Sequence, residues 1–492
     1  MEPVAKMSAV PARPAGHRRK VAKNFLLLTL AGMAGRVVGL FSGVYTRRTL
    51  EAVGIGQVSW CSSVMWYFAL VANPGLETVA KRDVAQDPTQ AGRYVSLLLT
   101  VQLLLALAGF AFVGCFAALG LRGPQISLLL ALQAFGLLLT PLNLTWLLQA
   151  RERMAPAAFA EVVSQLLMLP ALVLTIHNPG HVVRYVLLAY PFRIGTILFI
   201  AWYAGREGLV RWQQVRPTLR GAGLLLKEAL PLGLSQVAII LYYNFDVVLL
   251  GVARGDIAVG LYSTAYHLML MPMILSGSLL SAYFPVLSRV NGDPSQMRQV
   301  SAELFRLLVW IGFPIAALCW ATGGGMVRLL YGVEYAASGP FFEWLSPNIG
   351  LIFFNIGLSQ PFNAWGRQRE VFYITSLGAL LNVTLNCLLI PRYGVWAAVA
   401  TTILAELVVM LGSIYWRQRI CPIRWLAICL KPLGASVVIG LLARLLARTF
   451  PDFWWGALLL GLTVFAVVFW LTERRTAAQL LSQYFRRENS PI

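Results

Sequence analysis

Long apolar stretches alternate with short polar connections along nearly the whole chain. A helix that crosses a bilayer needs about 20 mainly apolar residues. This pattern predicts about fourteen spanning helices, at residues 24–45, 55–76, 94–118, 124–148, 156–176, 182–204, 223–250, 258–285, 303–325, 341–364, 371–390, 394–416, 427–447 and 453–472. The longest connection, residues 205–222, is too short for a catalytic domain. We therefore expect a protein that acts within or at the bilayer and is not an enzyme.

The two halves of the chain contain similar segments in one register. Residues 52–54 and 258–260 both read Ala-Val-Gly, while Asp-Pro-Thr-Gln at 87–90 matches Asp-Pro-Ser-Gln at 293–296. An even number of predicted spans separates equivalent positions, so the two halves have the same orientation in the membrane. Such repeats, related by an axis along the membrane normal, are typical of transporters that work by alternating access.

The predicted fold class is an all-α polytopic membrane protein with two parallel six-helix lobes and two further C-terminal helices. The predicted divisions are a basic cytoplasmic N-terminal tail (1–23), an N-lobe (24–215), a C-lobe (216–425), helices 13 and 14 (426–473) and a cytoplasmic C-terminal tail (474–492).

Composition agrees with a membrane protein, because 58% of the residues are hydrophobic and only 12% are charged. The net charge is +20, from 40 Lys and Arg against 20 Asp and Glu. With both termini in the cytoplasm, about three cations fall on the cytoplasmic side for each one outside, as the positive-inside rule requires. The charge thus reflects membrane insertion, and we expect no nucleic-acid partner.

Ionisable residues inside predicted spans are the candidate site residues, because each costs about 2.5–3.5 kcal/mol on insertion scales. Arg36 and Arg193 of the N-lobe are predicted to bind an anionic substrate, since guanidinium groups suit phosphate oxygens. Alternatively, each pairs with Glu161 or with backbone carbonyls and only locks the bundle. Asp246, Glu161 and Glu406 are predicted to be ion-coupling or lobe-bridging residues, with simple helix packing as the alternative for Glu406.

Other residues that bind metals or cofactors in many proteins give no such indication here. His177 and His181 flank Asn-Pro-Gly, which cannot continue a helix, and the six cysteines form no CxxC pair. His267 is expected to be a buried core histidine. We expect no metal site and no cofactor.

Two segments resemble a known family. Phe-Asp-Val-Val-Leu-Leu-Gly at 245–251 and Val-Gly-Leu-Tyr-Ser-Thr-Ala-Tyr at 259–266 resemble polysaccharide flippases of the multidrug/oligosaccharidyl-lipid/polysaccharide exporter superfamily. Gly-Arg-Val-Val-Gly-Leu-Phe at 35–41 is similar to the Arg-bearing first helix of the related lipid II flippases. Those flippases carry a second arginine in this helix, where this chain has Ser42, which argues against lipid II as the substrate.

The resemblance implies a flippase that moves a polyprenyl-diphosphate-linked oligosaccharide from the cytoplasmic to the outer leaflet, for O-antigen (lipopolysaccharide), capsule or exopolysaccharide synthesis. It also implies a bacterial inner-membrane location and, as partners beside lipid, a polysaccharide polymerase and glycosyltransferases.

Three alternatives stay open at this point. Two are a drug or cation antiporter of the same superfamily and a lipid II flippase. The third, a membrane glycosyltransferase or polymerase, is disfavoured because the first predicted external loop, Arg-Arg-Thr-Leu-Glu at 47–51, has no acidic pair.

Overall fold

The structure is a computed structural model that describes residues 15–120 and 122–489, with all side chains in these ranges except those of 15–34, 36, 37, 235 and 474–489. The helices are α1 (Ala15–Ala72), α2 (Leu76–Gln86), α3 (Ala91–Ala118), α4 (Pro124–Leu138), α5 (Thr145–Ala150), α6 (Ala155–Thr175), α7 (Val182–Arg206), α8 (Ala222–Leu270), α9 (Met273–Arg289), α10 (Pro294–Tyr331), α11 (Ser338–Ser359), α12 (Pro361–Ala364), α13 (Gln368–Tyr393), α14 (Val395–Ile420), α15 (Trp425–Thr449) and α16 (Trp454–Asn489). Short 3-10 turns lie at Pro88–Gln90, Thr140–Leu142, Pro179–His181, Trp212–Gln214, Val333–Tyr335 and Pro451–Phe453.

Helices α1 and α8 each consist of two helices joined at a sharp bend. The bend residues are Glu51 (φ 57°) and Gly255 (φ 81°), both in the left-handed region that a continuous helix does not use. A straight helix of 58 residues would be about 87 Å long, far more than a bilayer is thick. The first half of each helix therefore ends at its bend, and the second half runs back.

Contacts between the halves confirm that both helices reverse direction. In α1, Gly39 and Ser59 lie on the wall of one cavity, although a straight helix would hold them about 30 Å apart. In α8, the Tyr262 hydroxyl donates a hydrogen bond to Asp246, which lies 16 residues earlier. Each helix thus supplies two membrane spans.

Eleven helical segments of the described chain are long and apolar enough to cross a membrane. Two of them, Val38–Ala72 and Gln236–Arg289, contain the bends and supply two spans each. The eleven segments therefore supply thirteen spans, and helix α11, which packs along α10, is the fourteenth. The predicted fourteen-span, all-helical fold is confirmed.

The helices form two lobes. Helices α1 to α7 form one group and α8 to α14 form the second, and the two groups meet mainly where α1 packs on α8. The last two helices, α15 and α16, pack on α10 of the C-lobe. One contact here is the Arg444 guanidinium, which donates to Glu343 at 2.6 Å and to the Trp320 carbonyl at 2.7 Å.

The lobes approach most closely beside the two bends, at what we call the bend end of the molecule (Glu51 and Gly255). A Cβ atom on Gly56 would lie 1.9 Å from the Asp256 carbonyl oxygen, and one on Gly260 would lie 1.9 Å from that of Ala52. Small residues let helix backbones come this close. The contact is reciprocal between the lobes, as expected for two related halves.

Candidate functional site

Two adjoining cavities are lined mainly by the N-lobe, with His267 of α8 as the one C-lobe residue on their walls, and each contains an arginine. The first, the Arg47 cavity, measures about 390 Å³ and is lined by Gly39, Ser42, Gly43, Thr46, Arg47, Ile55, Val58, Ser59, Gln165, Met168, Leu172, Tyr185 and His267. The second, the Arg193 cavity, measures about 440 Å³ and is lined by Val58, Ser62, Met65, Trp66, Ala69, Gln133, Gly136, Leu137, Thr140, Tyr185, Val186, Ala189, Tyr190 and Arg193. The shared Val58 and Tyr185 make the two cavities neighbours.

Arg47 is half-buried in the last turn of α1 before the bend. Its Nε donates to the Thr264 hydroxyl at 3.2 Å and its Nη1 to the Gly43 carbonyl at 3.2 Å. The guanidinium carbon lies 5.4 Å from the centre of the Tyr331 ring. Among the described side chains no carboxylate lies within 4.0 Å of Arg47, so its charge is not neutralised by an ion pair.

The structure corrects the expectation that Arg47 belongs to an external loop. Helix α1 continues to the bend at Glu51, six residues further than the apolar pattern suggests, because Tyr45 and Thr46 still pack in the lobe. The expectation of a buried His267 is also wrong. Its side chain is exposed to the Arg47 cavity because α8 turns that face away from the C-lobe core.

Arg193 lies where the sequence places it, within α7, and its exposed side chain lines the second cavity. A Cβ on Gly136 would lie 3.1 Å from Arg193 Nη1, so the glycine leaves room for the guanidinium. Nearby, the Tyr190 hydroxyl donates to the Leu132 carbonyl at 2.6 Å. Arg193 has no carboxylate within 4.0 Å in the described chain.

Neutral polar groups accompany the two arginines. Ser62 donates to Gln133 at 3.2 Å on the wall of the Arg193 cavity, and Thr140 lies on the same wall. Ser59 and Gln165 line the Arg47 cavity. Hydroxyl and amide groups can exchange hydrogen bonds with sugar hydroxyls, while the arginines can bind an anion.

The carboxylate of Asp246 is buried in the C-lobe. Only 2% of the residue is exposed, and its oxygens accept hydrogen bonds from the Tyr262 hydroxyl and, at 2.8 Å, from the Val247 amide. Tyr262 also lies 3.3 Å from the Thr402 hydroxyl. These partners all belong to the C-lobe.

Glu406 forms a second buried cluster in the C-lobe. Its carboxylate accepts a hydrogen bond from the Tyr242 hydroxyl at 2.6 Å and one from the Asn355 side chain at 2.6 Å. No cation lies within 4.0 Å of Glu406 or of Asp246 in the described part of the chain.

The remaining two candidates lie on the N-lobe. Glu161 is exposed on α6 and accepts a hydrogen bond from Gln165 at 3.0 Å. It forms no ion pair with Arg193. The side chain of Arg36 lies outside the described residues, although its position belongs to α1. Within the described residues, no group of three or more His, Cys, Asp or Glu side chains could hold a metal ion.

Additional arginines join the lobes at the bend end. Arg122 of the N-lobe forms an ion pair with Asp256 of the C-lobe at 2.7 Å, and its guanidinium carbon lies 4.3 Å from the centre of the Trp60 ring. Arg48 donates to the carbonyls of Leu329 and Leu330 at the end of α10, the latter at 2.7 Å. In the sequence these residues stand out only as topology charges, because their partners are more than a hundred positions away.

Comparison with known proteins identifies the family. The profile described as "Polysaccharide biosynthesis protein" matches residues 21–291, more than half of the chain. A second profile, "MatE", matches residues 231–388.

Two curated relatives carry names related to glycan transport. The "Putative O-antigen transporter" of Shigella dysenteriae is 25% identical over 413 residues, which covers 79% of this chain and 98% of the relative. The "Probable low-salt glycan biosynthesis flippase Agl15" of Haloferax volcanii is 21% identical over 219 residues, which covers 44% and 46% respectively.

Solved structures show the same fold. "Lipid II flippase MurJ, inward closed conformation" aligns with a TM-score of 0.76 at 15% identity, over 92% of this chain and all of that one. A multidrug resistance MATE family transporter in its inward-facing conformation aligns with a TM-score of 0.63 at 18% identity, over 80% and 95%. The chain therefore has the fold of these transporters and belongs to the polysaccharide biosynthesis protein family.

Proposed function

We propose that the protein is a flippase that moves a polyprenyl-diphosphate-linked oligosaccharide from the cytoplasmic to the outer leaflet by alternating access. The observation that carries this proposal is the pair of adjoining N-lobe cavities, in which Arg47 and Arg193 lie without a carboxylate partner among the described residues. The family and the name of the Shigella relative support a lipid-linked glycan as the cargo.

The physical problem of this transport explains the need for such cavities. Moving a diphosphate and its sugars through about 30 Å of hydrocarbon would leave charge and many hydroxyl groups without partners. The cavities offer cationic donors for the phosphates and neutral polar groups for the sugars, while the polyprenyl tail stays in the lipid. The cavities thereby lower the energy cost of moving the headgroup across the bilayer, and the tail needs no such help.

We also retain Arg36 as a substrate-binding residue. It precedes Arg47 by three helical turns, about 16 Å along the helix axis. Arg47 and Arg193 would provide two binding positions, neither of which has to hold the cargo tightly.

In the proposed orientation both termini are cytoplasmic and the bend end faces the outer side of a bacterial inner membrane. Cargo then enters from the cytoplasmic side, and the lobe contacts at the bend end must separate for its release. Asp246 and Glu406 are the proposed sites at which protons or sodium ions drive this change, since they are buried carboxylates in the moving C-lobe helices α8 and α14.

A drug or cation antiporter would need acidic residues facing its cargo, whereas the charged residues on the two cavity walls are arginines. A lipid II flippase has the same fold, so the two functions can be told apart only by which lipid-linked substrate the protein transports. Complementation of two bacterial strains separates these possibilities. The first strain lacks its O-antigen flippase, and the second lacks the lipid II flippase on which its growth depends.

The decisive experiment measures O-antigen on the surface of the first strain. Wild type is expected to restore it, Arg193→Ala to reduce it at least about tenfold through loss of a charge-assisted contact, and Arg193→Lys to retain part of it. The control is Arg184→Ala, which changes an exposed arginine of the same helix whose bond goes to His181. Full activity of Arg193→Ala at normal abundance would contradict the proposal, as would rescue of the second strain alone.

A further inference from the structure

Arg47 belongs to a cavity wall and to a contact between the lobes at the same time. It lines the Arg47 cavity of the N-lobe. Its Nε also donates to Thr264, which is fully buried in α8, and its guanidinium packs near Tyr331 of α10. Both of these partners belong to the C-lobe. One guanidinium therefore has access to the cavity while it helps hold the bend end closed.

The bonds that hold Arg47 in this position are weak ones for an arginine. Both acceptors, the Thr264 hydroxyl and the Gly43 carbonyl, are neutral, and both distances are 3.2 Å, at the long end of the normal range. Bonds from arginine to a charged oxygen are shorter and roughly twice as strong, and phosphate can accept two of them at once. A phosphate group in the Arg47 cavity would thus take the guanidinium from Thr264.

We propose that Arg47 is a latch released by the anionic headgroup of the cargo. A phosphate that enters the Arg47 cavity binds the guanidinium, removes it from Thr264 and Tyr331, and so weakens the closure of the bend end. An uncharged lipid or a free sugar leaves the latch closed. This inference rests on the proposed function, because it assigns the recognition of the cargo's charge to one residue and connects that recognition to opening.

The thermodynamic condition for such coupling is that the ligand prefers the open form. The structure provides this difference, because in the closed form the ligand must first break the Arg47–Thr264 bond, whereas in the open form the guanidinium is free. Couplings between two sites are commonly 5- to 150-fold. We therefore expect a saturating anionic ligand to raise the ratio of open to closed molecules at least about fivefold.

The test measures the distance between the lobes at the bend end. Spin labels are placed on cysteines at Leu119 and Val333, which are 68% and 82% exposed and lie beside α3 and α10 respectively. Exposed Cys115 and Cys387 are replaced by serine so that they are not labelled. The probe is farnesyl diphosphate added to the protein in lipid nanodiscs, and farnesol is the uncharged control of the same length.

The wild type is expected to shift toward longer distances with farnesyl diphosphate and not with farnesol. Arg47→Ala is expected to show more of the longer distances without ligand and no further shift with it. Asp256→Asn is the matched control, because it removes a different lobe contact away from the cavity. It should increase the longer distances without ligand yet still respond to farnesyl diphosphate.

Binding of farnesyl diphosphate, measured by tryptophan fluorescence in the same nanodiscs, separates two kinds of failure. If the wild type and Arg47→Ala bind the probe and open equally, the latch is refuted, while the proposed function stands. If the wild type does not bind the probe at all, the latch and the proposed function both fail. Arg193→Ala is expected to bind less farnesyl diphosphate, while those molecules that do bind it still open at the bend end. This result would support a role for Arg193 in binding and for Arg47 in opening.

Discussion

Replacement of Gly260 by alanine should force the lobes apart at the bend end. The added Cβ would lie 1.9 Å from the Ala52 carbonyl oxygen and 2.7 Å from its carbon, whereas ordinary contacts of this kind begin near 3.4 Å. Both atoms belong to backbone, so no side-chain rotation can relieve the clash. Overpacking of this kind costs about 1–3 kcal/mol, which shifts the ratio of closed to open molecules about 5- to 150-fold toward the open form.

The spin-label pair at positions 119 and 333 measures this shift directly, and surface O-antigen measures its effect on transport. Transport should fall because the cycle needs the closed form as well as the open one. Gly56→Ala should behave in the same way, because its Cβ would meet the Asp256 carbonyl oxygen at 1.9 Å. Gly434→Ala is the control, since a Cβ in that helical position meets nothing within 4 Å.

The contradicting result is that Gly260→Ala gives the same distances and the same transport as Gly434→Ala at equal abundance. In that case the close crossing would not be a feature of the working protein. Reduced abundance of Gly260→Ala alone would not be decisive, so the distance measurement is made on purified protein that has passed size-exclusion chromatography.

Three further predictions concern carboxylates. Asp256→Asn should cost the closed form about 1.5–3 kcal/mol, and the same change in an Arg122→Ala background should cost much less; equal effects would show that the pair does not act as a unit. Asp246→Asn should change the pH or sodium dependence of transport, and an unchanged dependence in vesicles removes its coupling role. Hydrogen bonds from Ser295 hold the pKa of Asp293 below its ordinary value, so its stabilising effect is present above about pH 4 and is lost as the pH falls through the lowered pKa. Thermal unfolding should therefore show Asp293→Ala as less stable than wild type at pH 7 and equal to it in strong acid.

The overall architecture could be predicted from sequence because its signals are local. Each span is a run of apolar residues, and the repeat is visible in short segments such as 87–90 and 293–296. In the structure, Asp87 and Asp293 begin equivalent helical turns and accept bonds from the same following positions. A span or a cap needs only its own neighbours to be recognised.

The site was less predictable because it depends on where the chain turns and which lobes touch. Arg47 is assigned to a loop by hydropathy alone, since nothing local marks Glu51 as the bend residue. Its partner Thr264 lies within a segment that carries the family resemblance, but the contact between them exists only after α1 and α8 have both folded back. The hydrogen-bond partners of Asp246 depend in the same way on the reversal of α8.

The attachment of α15 and α16 to α10 has a consequence for how motion can be observed. Because these helices pack on the C-lobe, a fluorescent protein fused after the last helix would move together with that lobe. A second fluorophore on the N-lobe would then report each cycle as a change in energy transfer, without any alteration of the cavities or of the contacts between the lobes.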